Sequence, residues 1–301
     1  MKSVKGLIFG AVVLAAMACS SGDNQNFVSY SDGFKFCEGT TSYGDKILVT
    51  NFGTDEFNPL NSDGKGYVLS VEAGEVSTFI PNDGYLSAPK GLYVAGDNLF
   101  VADVNKVVIY NLAQNGSEPK VVAFPEEDIF VNDIAAYQDR VLISVTNTGN
   151  IYSLPSNDFE SISEQSLVKV GCVPGANGIV VSDDKIYVAS YNAAREPSEE
   201  NVIYQATLEG DALEASPLFE SMLYGQYDGI ALSCDGESLL VSSWVSQTKD
   251  SPAIWSISLT SGEVELLEMG FELAGPADIT VVNGRLWIPE LTSSILYSVE
   301  L

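Results

Sequence analysis

Glu38, Asn132, Asn177 and Asp228 are oxygen-bearing side chains that share one local setting. A small or turn-tolerant residue follows each of them: Gly39, Asp133, Gly178 and Gly229. In the last three an isoleucine comes next, as Ile134, Ile179 and Ile230. Lys90-Gly91-Leu92 and Ala277-Asp278-Ile279 repeat the setting with other residues in front. Two carboxylates and two amides, once gathered, form a hard oxygen donor set for a divalent cation such as Ca²⁺, with waters completing the shell. A cation held there polarises a carbonyl, and a neighbouring carboxylate accepts a proton from water. Asp228 is the candidate general base, with Glu38 as the other carboxylate within reach. Lys90 is placed to steer an anionic substrate or to pair with a carboxylate. Asn, Asp and Gly open strands and turns in all proteins, so the argument rests on the shared register and not on any single position.

The elements that would bring these residues together are legible as a repeat. Short β-rich runs alternate with Gly, Asp and Asn turns, and no helix-period stretch stands out after the first residues. A polar turn followed by an apolar run recurs with its first apolar residue at Ile47, Leu99, Val141, Ile186, Leu239 and Leu286. The intervals are 52, 42, 45, 53 and 47 residues, which is the spacing of propeller blades. Stepping back nine residues from each run gives Glu38, Lys90, Asn132, Asn177 and Ala277. In the fifth repeat the turn around Ser233-Cys234-Asp235-Gly236 is two residues longer, and the equivalent is Asp228. The expected fold is all-β: a six-bladed β-propeller of four-stranded antiparallel blades, with an N-terminal strand closing the last blade. The first strand of each blade lines the central channel. Six such strands entering at one depth converge their opening residues at one mouth.

Composition bounds the chemistry. The 301-residue chain has no histidine, which removes His-based triads, His general bases and His-ligated zinc or iron. No Gly-x-Ser-x-Gly elbow or Walker loop is present. With a net charge of -27, nucleic acid and anionic lipid are poor partners. Asn61 to Gly64 reads as a hairpin turn, because Pro59 and Ser70 occupy the end positions that a calcium loop needs. Glu126-Glu127-Asp128 and Glu199-Glu200 read as solvated loops. Trp244, Trp255 and Trp287 read as blade packing, with Trp244 at a strand end.

The N-terminus decides the compartment. Lys2 and Lys5 precede an apolar stretch from Gly6 to Met17 that is too short to span a membrane. Small residues then lead into Cys19, as in a bacterial lipobox. The expectation is a signal peptide over 1–18, a lipidated Cys19 and flexible tether over 19–27, and the propeller over 28–301. The protein would be exported and anchored by lipid to the outer membrane, facing the periplasm or the surface. Three cysteines then remain, Cys37, Cys172 and Cys234; they permit one disulfide and one free thiol, with the pairing open.

The same residues carry a family resemblance over 37–301. Cys37-Glu38-Gly39, Pro89-Lys90-Gly91-Leu92, Val131-Asn132-Asp133-Ile134, Ala176-Asn177-Gly178, Tyr227-Asp228-Gly229-Ile230 and Gly275-Pro276-Ala277-Asp278 occur in the order of the SMP-30/gluconolactonase/LRE-like six-bladed propellers. The chain resembles that family. The resemblance implies a divalent metal held by Glu38, Asn177 and Asp228, with Asn132 near metal and substrate and Asp228 as the general base. Two departures stand out. Phe130 occupies the place of the family's substrate-binding arginine, and Cys37 the place of a proline. Two functions follow as expectations. The first is a metal-dependent hydrolase of a lactone or related ester. The alternative is a non-catalytic surface propeller with a structural calcium, taking a small-molecule or glycan ligand or a protein at the channel mouth.

Overall fold

The computed structural model describes residues 27–301 apart from Asn115, Arg195 and Ser221. The expected signal peptide, Cys19 and most of the expected tether lie outside the described residues. No helix among the described residues is long and apolar enough to cross a membrane.

The strands form six four-stranded antiparallel sheets. The N-terminal strand β1 (Phe27–Tyr30) is set apart from the sheet that follows it. Blade one holds β2 (Cys37–Tyr43), β3 (Lys46–Asn51), β4 (Tyr67–Glu72) and β5 (Glu75–Ile80). Blade two holds β6 (Pro89–Ala95), β7 (Asn98–Asp103), β8 (Lys106–Asn111) and β9 (Lys120–Ala123). Blade three holds β10 (Val131–Tyr137), β11 (Arg140–Val145), β12 (Asn150–Pro155) and β13 (Val168–Cys172). Blade four holds β14 (Ala176–Ser182), β15 (Lys185–Ser190), β16 (Ile203–Glu209) and β17 (Ala212–Pro217). Blade five holds β18 (Gly225–Leu232), β19 (Ser238–Ser246), β20 (Ala253–Ser258) and β21 (Val264–Leu267). Blade six takes β22 (Thr280–Val282), β23 (Arg285–Glu290) and β24 (Ile295–Glu300), and β1 adds its outer strand. Phe27 pairs with Val299 and Tyr30 with Leu296, so the ring is closed by both ends of the chain, as the sequence predicts.

The burial pattern explains the continuous apolar runs. Both faces of β3, β7 and β11 are covered by neighbouring blades, whereas β5 and β17 at the rim are largely exposed. Each interface between adjacent blades holds one apolar cluster, from Leu48, Leu86 and Leu99 between blades one and two to Cys37, Val49 and Trp287 between blades one and six. The tight hairpins use residues that accept left-handed backbone. Asn283 and Gly284 both have positive φ, as a two-residue turn of this twist requires.

Three readings of the sequence are corrected. Asn61 to Gly64 is not a tight hairpin but part of a long connection over 52–66 between the paired strands β3 and β4. Asp128 is not solvated. It is buried and accepts from Asn150, Thr148 and Tyr152, so the acidic run turns inward at its last residue. The three described cysteines are free thiols: Cys37 is buried against the Glu290 and Ile295 carbonyls, and Cys172 and Cys234 are exposed.

Candidate metal and ligand site

A β-bulge opens the inner strand of five blades, and the sixth follows suit. Cys37 pairs with Asn51 and Thr40 with Val49, so Glu38 and Gly39 together face Thr50. In the same way Lys90 and Gly91 face Ala102, and Asn132 and Asp133 face Ser144. Asn177 and Gly178 face Ala189, and Asp228 and Gly229 face Ser242. In blade six Pro276 bridges Glu290 and Thr280 pairs with Trp287, which leaves Ala277 and Asp278 in the equivalent place. Two residues opposite one re-aim the side chain of the first. The shared register of the sequence is therefore a shared backbone distortion.

Hydroxyls lock this distortion in alternate blades. Gly39 N donates to Thr50 Oγ1 at 2.7 Å, and that hydroxyl donates to the Lys90 carbonyl at 2.8 Å. Gly229 N donates to Ser242 Oγ, which donates to the Ala277 carbonyl, both at 2.7 Å. Asp133 N donates to Ser144 Oγ at 3.0 Å, and Ser144 donates to the Asn177 carbonyl. Each relay fixes one bulge and the opening residue of the next blade. The glycine of the bulge is required by close approach. A Cβ on Gly178 would lie 2.4 Å from the Asp228 carbonyl oxygen, and one on Gly39 would lie 2.4 Å from the Lys90 carbonyl oxygen.

Glu38, Lys90, Asn132, Asn177 and Asp228 line one cavity of about 330 Å³ at a mouth of the channel. The structure thus brings together every candidate ligand, base and substrate contact on the propeller. Ala277 offers no donor and packs with Phe52, Ala88 and Leu291. Four buried oxygens facing this group have no hydrogen-bond partner: Glu38 Oε2, Asn132 Oδ1, Asn177 Oδ1 and Asp228 Oδ1. Buried polar atoms are almost always paired, and leaving one unpaired costs about 1–3 kcal/mol. Four such atoms, all oxygens and all from the predicted ring, fit a hard cation as the missing partner. Among the described residues no three His, Cys, Asp or Glu side chains cluster with metal-binding spacing, so this donor set depends on its amides as much as on its carboxylates.

Electrostatics agree with the burial. Desolvation raises Glu38 well above the usual carboxylate range, the Asp228 charge adds to this, and Lys90 opposes it. Burial pushes Asp228 up to about 7 against a 2.8 Å hydrogen bond from Trp244 Nε1 to its Oδ2. Lys90 is 1% exposed. Burial lowers its pKa and the charges of Glu38, Asp103 and Asp228 raise it. It donates to the Pro59 and Ala88 carbonyls at 3.0 and 3.1 Å and lies 4.7 Å from the centre of the Phe130 ring. The aromatic that replaces the expected arginine thus packs against the cation of the site.

Sequence reasoning missed three groups. Trp244 touches the candidate base directly. Thr50, Ser144 and Ser242 hold the ring. Asp133 and Asp278, which stand where four blades have glycine, line a second cavity of about 300 Å³ further along the channel. Burial pushes Asp133 up to about 6, while the backbone amides of Ile179 and Ile134 and the Asp278 carboxyl oppose that rise. Asp278 is raised well above the carboxylate range, first by burial and then by the Asp133 charge.

These features define a six-bladed β-propeller with an oxygen-lined pocket at one mouth. No family model matches the sequence, and no curated protein matches it. Solved structures share the fold. A gluconolactonase from Xanthomonas campestris is 13% identical, with a TM-score of 0.63 over 91% of this chain and 89% of that one. A virginiamycin B lyase from Staphylococcus aureus, a histidine-to-alanine variant described as catalytically inactive and bound to quinupristin, is 13% identical, with a TM-score of 0.57 over 91% and 99%. A chain of a nidogen/laminin complex is 13% identical, with a TM-score of 0.60 over 80% and 87%.

Proposed function

We propose that this protein is an exported, lipid-anchored member of the SMP-30/gluconolactonase/LRE-like propellers, and that it hydrolyses a lactone or related ester with the help of a divalent cation, most simply Ca²⁺. The four unpartnered oxygens in one cavity carry this reading. Glu38, Asn177 and Asp228 would hold the ion, and Asn132 would face both ion and substrate. The bound ion would supply polarisation of the ester carbonyl and stabilisation of the oxyanion that develops on it.

The residues of the chain supply the proton chemistry. Trp244 anchors Asp228 Oδ2 and leaves Oδ1 directed into the pocket. That oxygen has no protein donor and is placed to accept a proton from water. The water oxygen bonds to the carbonyl carbon as Asp228 takes its proton. The ester C–O bond then breaks, the departing alkoxide recovers the proton, and a hydroxy acid remains. Lys90 donates to two carbonyls and in its protonated form favours the negative charge of that product. The absence of histidine sets the chain apart from the lyase whose variant lost activity with its histidine.

Phe130 in the arginine position favours the alternative, a non-catalytic propeller that binds a ligand or protein with the ion as a structural element, as does the use of this fold within a nidogen/laminin complex. A lactone panel assayed with Ca²⁺, with chelator and with Asp228→Ala separates the two. Turnover that requires both the ion and Asp228 supports the hydrolase. Ca²⁺-dependent melting with no turnover supports the binding protein. Lipid labelling of cells expressing the full chain, lost in Cys19→Ser, tests the anchor.

A further inference from the structure

Above its polar floor the pocket is apolar. Phe52, Phe57, Phe130 and Trp244 form walls, and Leu60 and Ile129 stand at the rim, 41% and 42% exposed. Ligand pockets are commonly lined this way, with apolar walls and a few placed polar groups. The polar wall groups are already engaged. Asn147 accepts from Phe130 N and donates to the Glu127 carbonyl. Lys90 donates to two carbonyls. Trp244 Nε1 donates to Asp228. The unpartnered polar atoms lie on the floor.

The floor is the second, independent feature. It gathers four unpartnered oxygens from Glu38, Asn132, Asn177 and Asp228 beside the Lys90 side chain, a compact polar spot with room for one small head group.

From these two features we infer that the ligand of this pocket is a small amphiphile. It has one carbonyl or carboxylate head for the floor and an unsubstituted alkyl or aryl body for the walls; it is not a polyhydroxylated sugar lactone. The inference rests on the reading of the pocket as a lactone hydrolase and names its substrate class. A sugar lactone would bring several hydroxyls against Phe57 and Phe130, where each would lose its water without gaining a partner. An alkyl body gains from the same walls. Each added methylene should raise affinity about threefold to fourfold until the tail passes Leu60 and Ile129.

The test uses the full mature chain with Ca²⁺. Calorimetric titration compares octanoate with gluconate, and kinetics compare γ-butyrolactone, γ-octalactone and γ-decalactone with D-glucono-1,5-lactone. The expected result is octanoate binding at least about tenfold tighter than gluconate, with kcat/KM rising along the alkyl series. Leu60→Asn with Ile129→Asn alters only exposed rim positions. It should weaken octanoate binding and flatten the alkyl series while leaving the melting temperature unchanged. Preferred binding and turnover of the sugar compounds would overturn the inference and leave the hydrolase standing. Octanoate binding with no turnover of any lactone would support the ligand class and remove the hydrolase. Failure of both binding and turnover for both classes would overturn both.

Discussion

Glu38, Asp133, Asp228 and Asp278 are four buried carboxyls whose proton affinity burial raises in every case. The sign of the consequence is fixed. A carboxyl whose folded pKa is raised binds its proton more tightly when folded, so the stability it gives is complete below the unfolded value near 4. That stability is lost as pH climbs through the folded values, about 6 for Asp133 and about 7 for Asp228. In chelator, the melting temperature should therefore fall between pH 5 and pH 8, read by differential scanning fluorimetry. Ca²⁺ should reverse the fall on the alkaline side, because a cation takes the place of the protons on Glu38 and Asp228. Its measured affinity should rise over the same interval. Trp244→Phe removes the donor to Asp228 Oδ2 and makes the carboxylate harder to form. The midpoint of Ca²⁺ affinity against pH should move upward by about one unit, as expected for loss of a part-buried hydrogen bond to a charged acceptor. An unchanged midpoint would show that the indole does not tune the acid.

At the scale of the element, the bulge and its hydroxyl relay set the site. Ser242→Ala would strand the Gly229 amide and the Ala277 carbonyl, both buried, and should cost about 1–3 kcal/mol in urea unfolding. Ser216→Ala on the exposed outer strand of blade four should stay within about 0.5 kcal/mol. The relay was legible without being noticed. Thr50 and Ser144 lie twelve residues after Glu38 and Asn132, and Ser242 lies fourteen after Asp228, whereas Ala102 and Ala189 stand in the blades between. The ring residues were easier to find because a repeated offset needs no knowledge of their partners. The burial of Asp128 is not legible in the sequence because it depends on Thr148, Asn150 and Tyr152, twenty or more residues away. The apolar pocket walls were equally hidden. Phe57 and Leu60 come from a connection whose length is visible in the sequence but whose fold over the mouth is not.

At the scale of the whole molecule, the six-fold repeat made the architecture readable: each apolar run marks one blade, and blade packing requires little else. The closing N-terminal strand expected from the sequence is β1, which completes blade six as its outer strand against β24. Deleting residues 27–30 should expose β24 as an unpaired edge and remove the packing of Phe27 on Phe271 and Tyr297. The truncated chain should melt at lower temperature and associate through β24, seen by light scattering coupled to size exclusion. A monomer of unchanged melting temperature would show that the seam holds without β1.

The seam also dictates when the protein can become whole. The partner of Phe27 is Val299, so β1 cannot take its seat until all six blades up to β24 have been made. Until β1 docks, the sixth blade is incomplete and the ring is prone to capture by other chains. Joining its ends is the longest-range step in its assembly and the natural bottleneck of its maturation.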